Sequence, residues 1–223
     1  MEEHDRQTQR RLRMIETQIV SRGIRDRDVV AAIRSVPRHL FVPSDLEDEA
    51  YTDQALPVGF GQTISQPFMV ALMTELLEVD VRSRVLEIGT GTGYQTAILA
   101  EMCEHVYSVE RVPGLVSGAQ EVLRRLGYNN VTIVVGDGSL GLPDEAPFDG
   151  IVVAAAAPEA PPPLLDQLAN GARLVVPIGP AGRDQILTAI TRRGDTFESE
   201  RSTPCRFVPL LGEHGFRFTS GEG

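Results

Sequence analysis

Arg84-Val85-Leu86-Glu87-Ile88-Gly89-Thr90-Gly91-Thr92-Gly93-Tyr94 is the stretch from which the rest of this 223-residue chain can be read. A run of β-type residues ends in three glycines at alternate positions, and Thr96-Ala97-Ile98-Leu99-Ala100 beyond them has the composition of a helix. Strand, glycine turn and helix in that order form the opening unit of a parallel α/β sheet. The alternation continues outward. Residues 106–109 read as a strand, 114–126 as a helix, 131–135 and 151–153 as strands, 164–169 as a helix and 174–178 as a strand. Short connections between such elements predict a doubly wound, mostly parallel sheet covered on both faces, a Rossmann-like α/β fold. Residues 185–191, 196–200 and 207–210, separated by Gly194-Asp195 and Pro204, predict antiparallel C-terminal strands closing one edge.

On the N-terminal side, Leu12, Ile15 and Ile19 recur at helical spacing within 8–20, and Asp26 can cap a second helix carrying Val29, Val30 and Ile33. Pro37, Pro43 and the acidic run 45–49 predict a surface connection, its charges a solvated face or a docking face. Pro67 suits the first turn of a helix through Leu77, with Phe68, Met69, Leu72 and Leu76 inward. The chain thus divides into an N-terminal helical addition over 1–60, a ligand-binding catalytic domain over 61–212 and a tail over 213–223.

Ligands of such sheets lie beyond the carboxyl ends of the strands, where the glycine loop falls. A dinucleotide site wants G-x-G-x-x-G, whereas here the spacing is G-x-G-x-G and Tyr94 stands at the last position. That favours S-adenosylmethionine (AdoMet) over a pyrophosphate, although a glycine pattern alone is also that of a tight turn. Glu110 ends the second strand of the domain, where a carboxylate can accept both ribose hydroxyls. Asp137-Gly138 ends the third, placed to meet the edge of an adenine; each of these acids read singly is more readily a turn or cap residue. Glu87 adds negative charge suited to a sulfonium and an ammonium.

Composition excludes several other classes. Thirty-one acidic against 21 basic residues give a formal charge of −10, unfavourable for binding nucleic acid. All the basic residues are Arg, so Lys-dependent phosphate loops and Schiff-base chemistry are ruled out. Two cysteines, Cys103 and Cys205, and four scattered histidines form no metal-ligand spacing, and no apolar run is long enough to span a bilayer. A cytoplasmic location is expected, with no membrane partner.

Upstream of the glycine loop stands Val58-Gly59-Phe60-Gly61-Gln62-Thr63-Ile64-Ser65-Gln66-Pro67-Phe68-Met69. Read alone, Ser65 is a helix N-cap. Together with Arg34-Ser35-Val36-Pro37-Arg38, residues 87–100, Gly136-Asp137-Gly138, 154–158, 174–179 and Arg206-Phe207-Val208-Pro209-Leu210, the segment closely resembles the protein-L-isoaspartate O-methyltransferase family. The resemblance covers roughly residues 12–212 and keeps the family's motif order. It implies a class I AdoMet-dependent methyltransferase whose cosubstrate is AdoMet, without a metal, acting on isoaspartyl-containing proteins and peptides, and expected to be a monomer. By the same resemblance, Ser65 lies beside the reacting carboxylate and Thr63 and Ile64 help enclose AdoMet with Gly89, Thr90, Gly91 and Gly93. Arg206, Phe207 and Val208 are implied to hold the peptide as part of a closing strand.

An α-carboxylate is ionised at neutral pH, with a pKa of about 3.3–3.7, so its methylation needs no strong base. None is evident near the loop, and Ser65 is therefore assigned an orienting hydrogen bond. Two rivals are a methyltransferase for a dedicated biosynthetic peptide and a binding module without catalysis. The second would have no need of Ser65 or of 63–67. A nucleic-acid methyltransferase would want an Asn-Pro-Pro-Tyr-type motif where 154–158 stands.

Overall fold

The computed structural model describes residues 2–217, so the last six residues of the expected tail lie outside the described residues. Seven strands form the central sheet in the order β5-β4-β3-β6-β7-β8-β9. They are β3 (Arg84–Ile88), β4 (His105–Glu110), β5 (Val131–Val135), β6 (Phe148–Val153), β7 (Leu168–Ile178), β8 (Gln185–Arg193) and β9 (Thr196–Cys205). β3 to β7 pair in parallel; β8 and β9 are antiparallel, closing the edge as expected. The parallel strands are apolar on both sides because both faces are covered, and successive residues feed different cores. Val152 and Val175 face one core, while Ile151, Val153, Leu174 and Val176 face the other.

One face carries α3 (Pro67–Leu77), α4 (Tyr94–Met102) and α5 (Pro113–Arg125). α5 is amphipathic and buries Leu115, Val116, Ala119 and Leu123. α4 is buried at every residue but Glu101, because α2 (Arg27–Ser35) and the segment after α1 (Glu2–Met14) form a further layer over that face. Ile15, Ile19, Val29 and Ile33 share one core with Val85, Ala97 and Ile98. Asp26 caps α2 as expected, accepting the amides of Asp28 and Val29 at 2.8 and 3.2 Å. The helix expected over 8–20 ends at Met14 and widens into a π-turn over Ile15–Ile19.

Four local expectations are corrected. The 37–43 stretch is no surface connection: Arg38 and Phe41 are buried in a 3₁₀ turn, with the Arg38 Nε donating to the Ala50 carbonyl at 2.7 Å and its guanidinium 4.8 Å from the Tyr94 ring centre. On α3 the buried residues are Pro67, Met69, Val70, Ala71, Met73, Thr74 and Leu77, with Phe68, Leu72 and Leu76 only half-buried, since the helix is wedged between the sheet and the N-terminal layer. The helix expected over 164–169 is the short α6 (Pro162–Asp166), because β7 starts at Leu168, which pairs with Phe148 across a bulge. Finally, 207–210 is no antiparallel strand. Pro204 falls at the end of the exposed edge strand β9, and the chain then crosses to Ala156, which donates to the Val208 carbonyl at 2.8 Å and accepts the Leu210 amide at 2.7 Å in a parallel bridge. The acidic run is partly engaged by the chain itself: Asp48 receives Arg10 at 2.6 Å and Arg6 at 3.2 Å from α1. No described helix is long and apolar enough to cross a membrane.

Candidate active site

The strand order reverses between β3 and β6, and the crevice above that point is where such sheets bind ligands. There the glycine loop leaves β3 with Gly89, Gly91 and Gly93 at φ of 95°, 55° and 89°. This left-handed backbone is what the three glycines supply, and it turns the chain into the N-terminus of α4. Around Gly91 there is open space rather than a neighbour. The loop walls a cavity of about 900 Å³ including its open mouth, within the range of small-molecule sites.

Seven expected ligand residues line this cavity, namely Thr63, Ile64, Gly89, Thr90, Gly91, Glu110 and Gly138, and Ser65 joins them. Thr63 and Ile64 arrive on a separate hairpin, β1 (Leu56–Gly59) with β2 (Gln62–Ile64). Glu110 is buried, its Oε2 accepting the Gly91 amide at 2.9 Å and its Oε1 the Val112 amide at 2.8 Å, so it ties the glycine loop to the end of β4. Two carboxylate oxygens offer about four acceptor sites, which leaves capacity for a ligand's hydroxyls. Gly138 is required by close approach: a Cβ there would lie 2.3 Å from the Ile88 Cγ2.

Glu87, Gly93 and Asp137 do not line the cavity. Gly93 packs on Leu123 and Ala119 of α5. The Asp137 carboxylate is taken up by its own turn and by the tail, accepting the Ser139 amide and hydroxyl at 2.9 and 2.7 Å and the Glu213 amide at 2.8 Å. Residues 213–216 are thereby hydrogen-bonded into the fold, and Phe216 donates to the Leu210 carbonyl at 2.7 Å.

Glu87 lies beneath the loop, fully buried, its Oε2 accepting the Thr96 hydroxyl at 2.5 Å and the Ser108 hydroxyl at 2.6 Å, with Ser108 and Thr90 hydroxyls 2.6 Å apart. Its Oε1 has no hydrogen-bond partner among the described residues. Burial raises this carboxyl from 4.5 to about 7, with the Ser108 and Thr96 hydroxyls pulling it down and Glu110 adding to the rise. The folded state therefore binds the proton more tightly than the unfolded chain. The associated stability is complete below about pH 4.5 and is lost as pH rises to about 7, on the order of 3 kcal/mol in all. Glu87→Gln should accordingly gain on the unaltered chain in melting temperature between pH 5 and pH 8, by several degrees. A difference that stays flat with pH would contradict this account.

A second cavity opens beside the first and shares Thr63, Ser65, Ala154 and Val208 with it. Its other walls include Gln66, Met69, Cys205, Arg206 and Phe207. Ser65 is not a cap: α3 is capped by Gln66 without a side-chain bond, and the Ser65 hydroxyl bonds to no described residue. Arg206 stands at the rim, paired with Asp184 at 2.8 Å and largely exposed. The Phe207 amide donates to the Gln185 Oε1 at 2.9 Å. Cys205 is buried, and burial pushes its thiol up to about 11, as befits packing rather than reaction. His39, between the two prolines, meets the Tyr51 hydroxyl at 2.7 Å. Lining residues that the sequence did not single out for the site include Val70, Val109, Val112 and Leu211, while Gln95, Ala154 and Leu210 stood only within segments of the family resemblance.

The family profile described as protein-L-isoaspartate (D-aspartate) O-methyltransferase matches residues 9–215. The chain belongs to this family. It is 53% identical over 207 residues to the protein-L-isoaspartate O-methyltransferase of Geobacter metallireducens, covering 92% of this chain and 95% of that one. Among solved structures, a protein-L-isoaspartate O-methyltransferase superposes with a TM-score of 0.82 at 30% identity, over 92% of this chain and 67% of its own. A Plasmodium falciparum structure described as a beta-aspartate methyltransferase (PCMT) in complex with S-adenosyl-L-homocysteine gives 0.78 at 29% identity, over 90% of this chain and 98% of that one. Membership in the protein-L-isoaspartate O-methyltransferase family agrees with the Rossmann-like architecture built up above.

Proposed function

We propose that the protein transfers the methyl group of AdoMet to the free α-carboxylate of L-isoaspartyl residues in damaged proteins and peptides. The methyl ester so formed returns through a succinimide to aspartate. The observation that carries this reading is the meeting of two cavities at the uncommitted hydroxyls of Thr63 and Ser65, of which the family resemblance singles out Ser65. One cavity has the glycine loop and the Glu110 carboxylate that suit AdoMet. The other is bounded by Arg206, Phe207 and Val208 and suits a peptide.

AdoMet, when bound, supplies an electrophilic methyl: the carboxylate oxygen–carbon bond forms as the carbon–sulfur bond breaks, the electron pair stays on sulfur, and no proton moves. The protein's residues therefore position rather than activate. Glu110 accepts hydroxyls of the ribose, and the amides of the glycine loop and the Gly138 turn border the rest of the ligand. Ser65 donates its hydroxyl proton in a hydrogen bond to the acceptor carboxylate and fixes which oxygen faces the methyl. Well-oriented reactants gain on the order of 7–11 kcal/mol at most from such placement. Apolar walls at Ile88, Val109 and Leu210 limit water in a site where opposite charges merge.

The same reading takes the protein as a monomer in the cytoplasm with no nucleic-acid or membrane partner. Both cavities are built from this one chain, its charge of −10 disfavours polyanions, and its cysteines are free and buried, as suits a reducing compartment. The test uses labelled AdoMet and paired peptides differing only in Asp or isoAsp at one position. Transfer to the isoAsp peptide alone is expected; transfer to both or to neither overturns the assignment.

A further inference from the structure

The β1–β2 hairpin gives Gln62, Thr63 and Ile64 to the lining of the AdoMet cavity, and Arg111 and Val112, just after β4, line it as well. At the hairpin tip, between Gly59 and Gly61, Phe60 holds a φ of 53°, a left-handed conformation that a bulky residue seldom takes. It is also 65% exposed. Burial in the core therefore does not account for an aromatic ring kept in that backbone state.

Its ring has one specific seat. A Cβ placed on Gly114 would lie 2.5 Å from the Phe60 Cζ and 2.8 Å from its Cε1, and the three atoms it would meet most closely all belong to that ring. Gly114 is the second residue of α5, two positions beyond the cavity wall at Val112. Alanine would be the better helix former there, so the helix does not call for glycine; the ring does.

We infer that Phe60 is a positioning residue: seated on Gly114, it clasps the hairpin across the mouth of the cavity, holds 63–65 against the bound ligand and sets the rate at which that ligand leaves. The inference rests on the reading of this cavity as the AdoMet site. Among the described strands the hairpin pairs only with itself, as a two-stranded sheet apart from the main one, so the clasp is a tie from its tip to the start of α5.

The experiment measures dissociation of S-adenosylhomocysteine by stopped flow, with melting temperatures, for the unaltered chain, Phe60→Ala, Gly114→Ala and the double variant. Phe60→Ala should speed dissociation about tenfold, the scale of one aromatic contact, and leave the melting temperature nearly unchanged because the ring is mostly exposed. Gly114→Ala should do the same by unseating the ring. In the double variant the added methyl has no ring to meet, so its rate should equal that of Phe60→Ala alone. A merely structural role would lower the melting temperature without this pattern of rates, and would overturn the inference. Equal dissociation rates in all four chains overturn the clasp alone. Failure of the unaltered chain to bind S-adenosylhomocysteine overturns the cavity assignment and the clasp with it.

Discussion

Ser65→Ala is expected to lower kcat by about a hundredfold while S-adenosylhomocysteine binds as before. The size follows from orientation: a displacement of about 1 Å in a reacting pair can cost about 10²-fold in rate. Electrostatics give the opposite sign. The acceptor oxygen loses its negative charge as the methyl arrives, so a hydrogen bond to it weakens along the reaction and cannot by itself lower the barrier. Ser65 must therefore act by holding the carboxylate in line. Its hydroxyl is free to do so, since Gln66 and not Ser65 caps α3. Single-turnover rates at saturating AdoMet, paired with calorimetric binding of S-adenosylhomocysteine, separate the two effects. Parallel losses in rate and binding would reduce Ser65 to a part of the wall.

Glu110→Ala should weaken S-adenosylhomocysteine at least about a hundredfold, with a smaller loss for Glu110→Gln. Hydrogen bonds to a charged acceptor contribute about 1.5–3 kcal/mol each, and two ribose hydroxyls are assigned to this carboxylate. Alanine also frees the Gly91 and Val112 amides, and so loosens the glycine loop itself. Binding calorimetry reads the loss, and turnover at saturating AdoMet should recover most of the activity. Undiminished affinity in the alanine variant would move the ribose away from β4.

The strand–helix alternation was legible because a sheet covered on both faces needs near-continuous apolar runs; 151–153 and 174–178 supply them, and 85–88 does so apart from Glu87. The glycine loop was legible for a related reason, since few other residues tolerate its backbone. Long-range recruitment was not. Nothing local in Asp137 shows that the Glu213 amide, 76 positions along, will occupy its carboxylate. Arg38 was read as surface because charged residues almost always are, yet it is wholly buried beside Tyr94. The leucines at 164, 165 and 168 match a helical repeat, but pairing of Leu168 with Phe148 converts the last of them to strand. The second cavity depends on Arg206, Phe207 and Val208 crossing to Ala156, a parallel bridge that alternation along 207–210 does not encode.

The helix that follows the glycine loop buries every residue but Glu101, because the first part of the chain roofs it over. Those opening residues are therefore not a detachable module around which the family could exchange recognition parts. Room for variation in acceptor preference lies instead in the stretches that border the second cavity away from the sheet core, the crossing at 204–208 foremost.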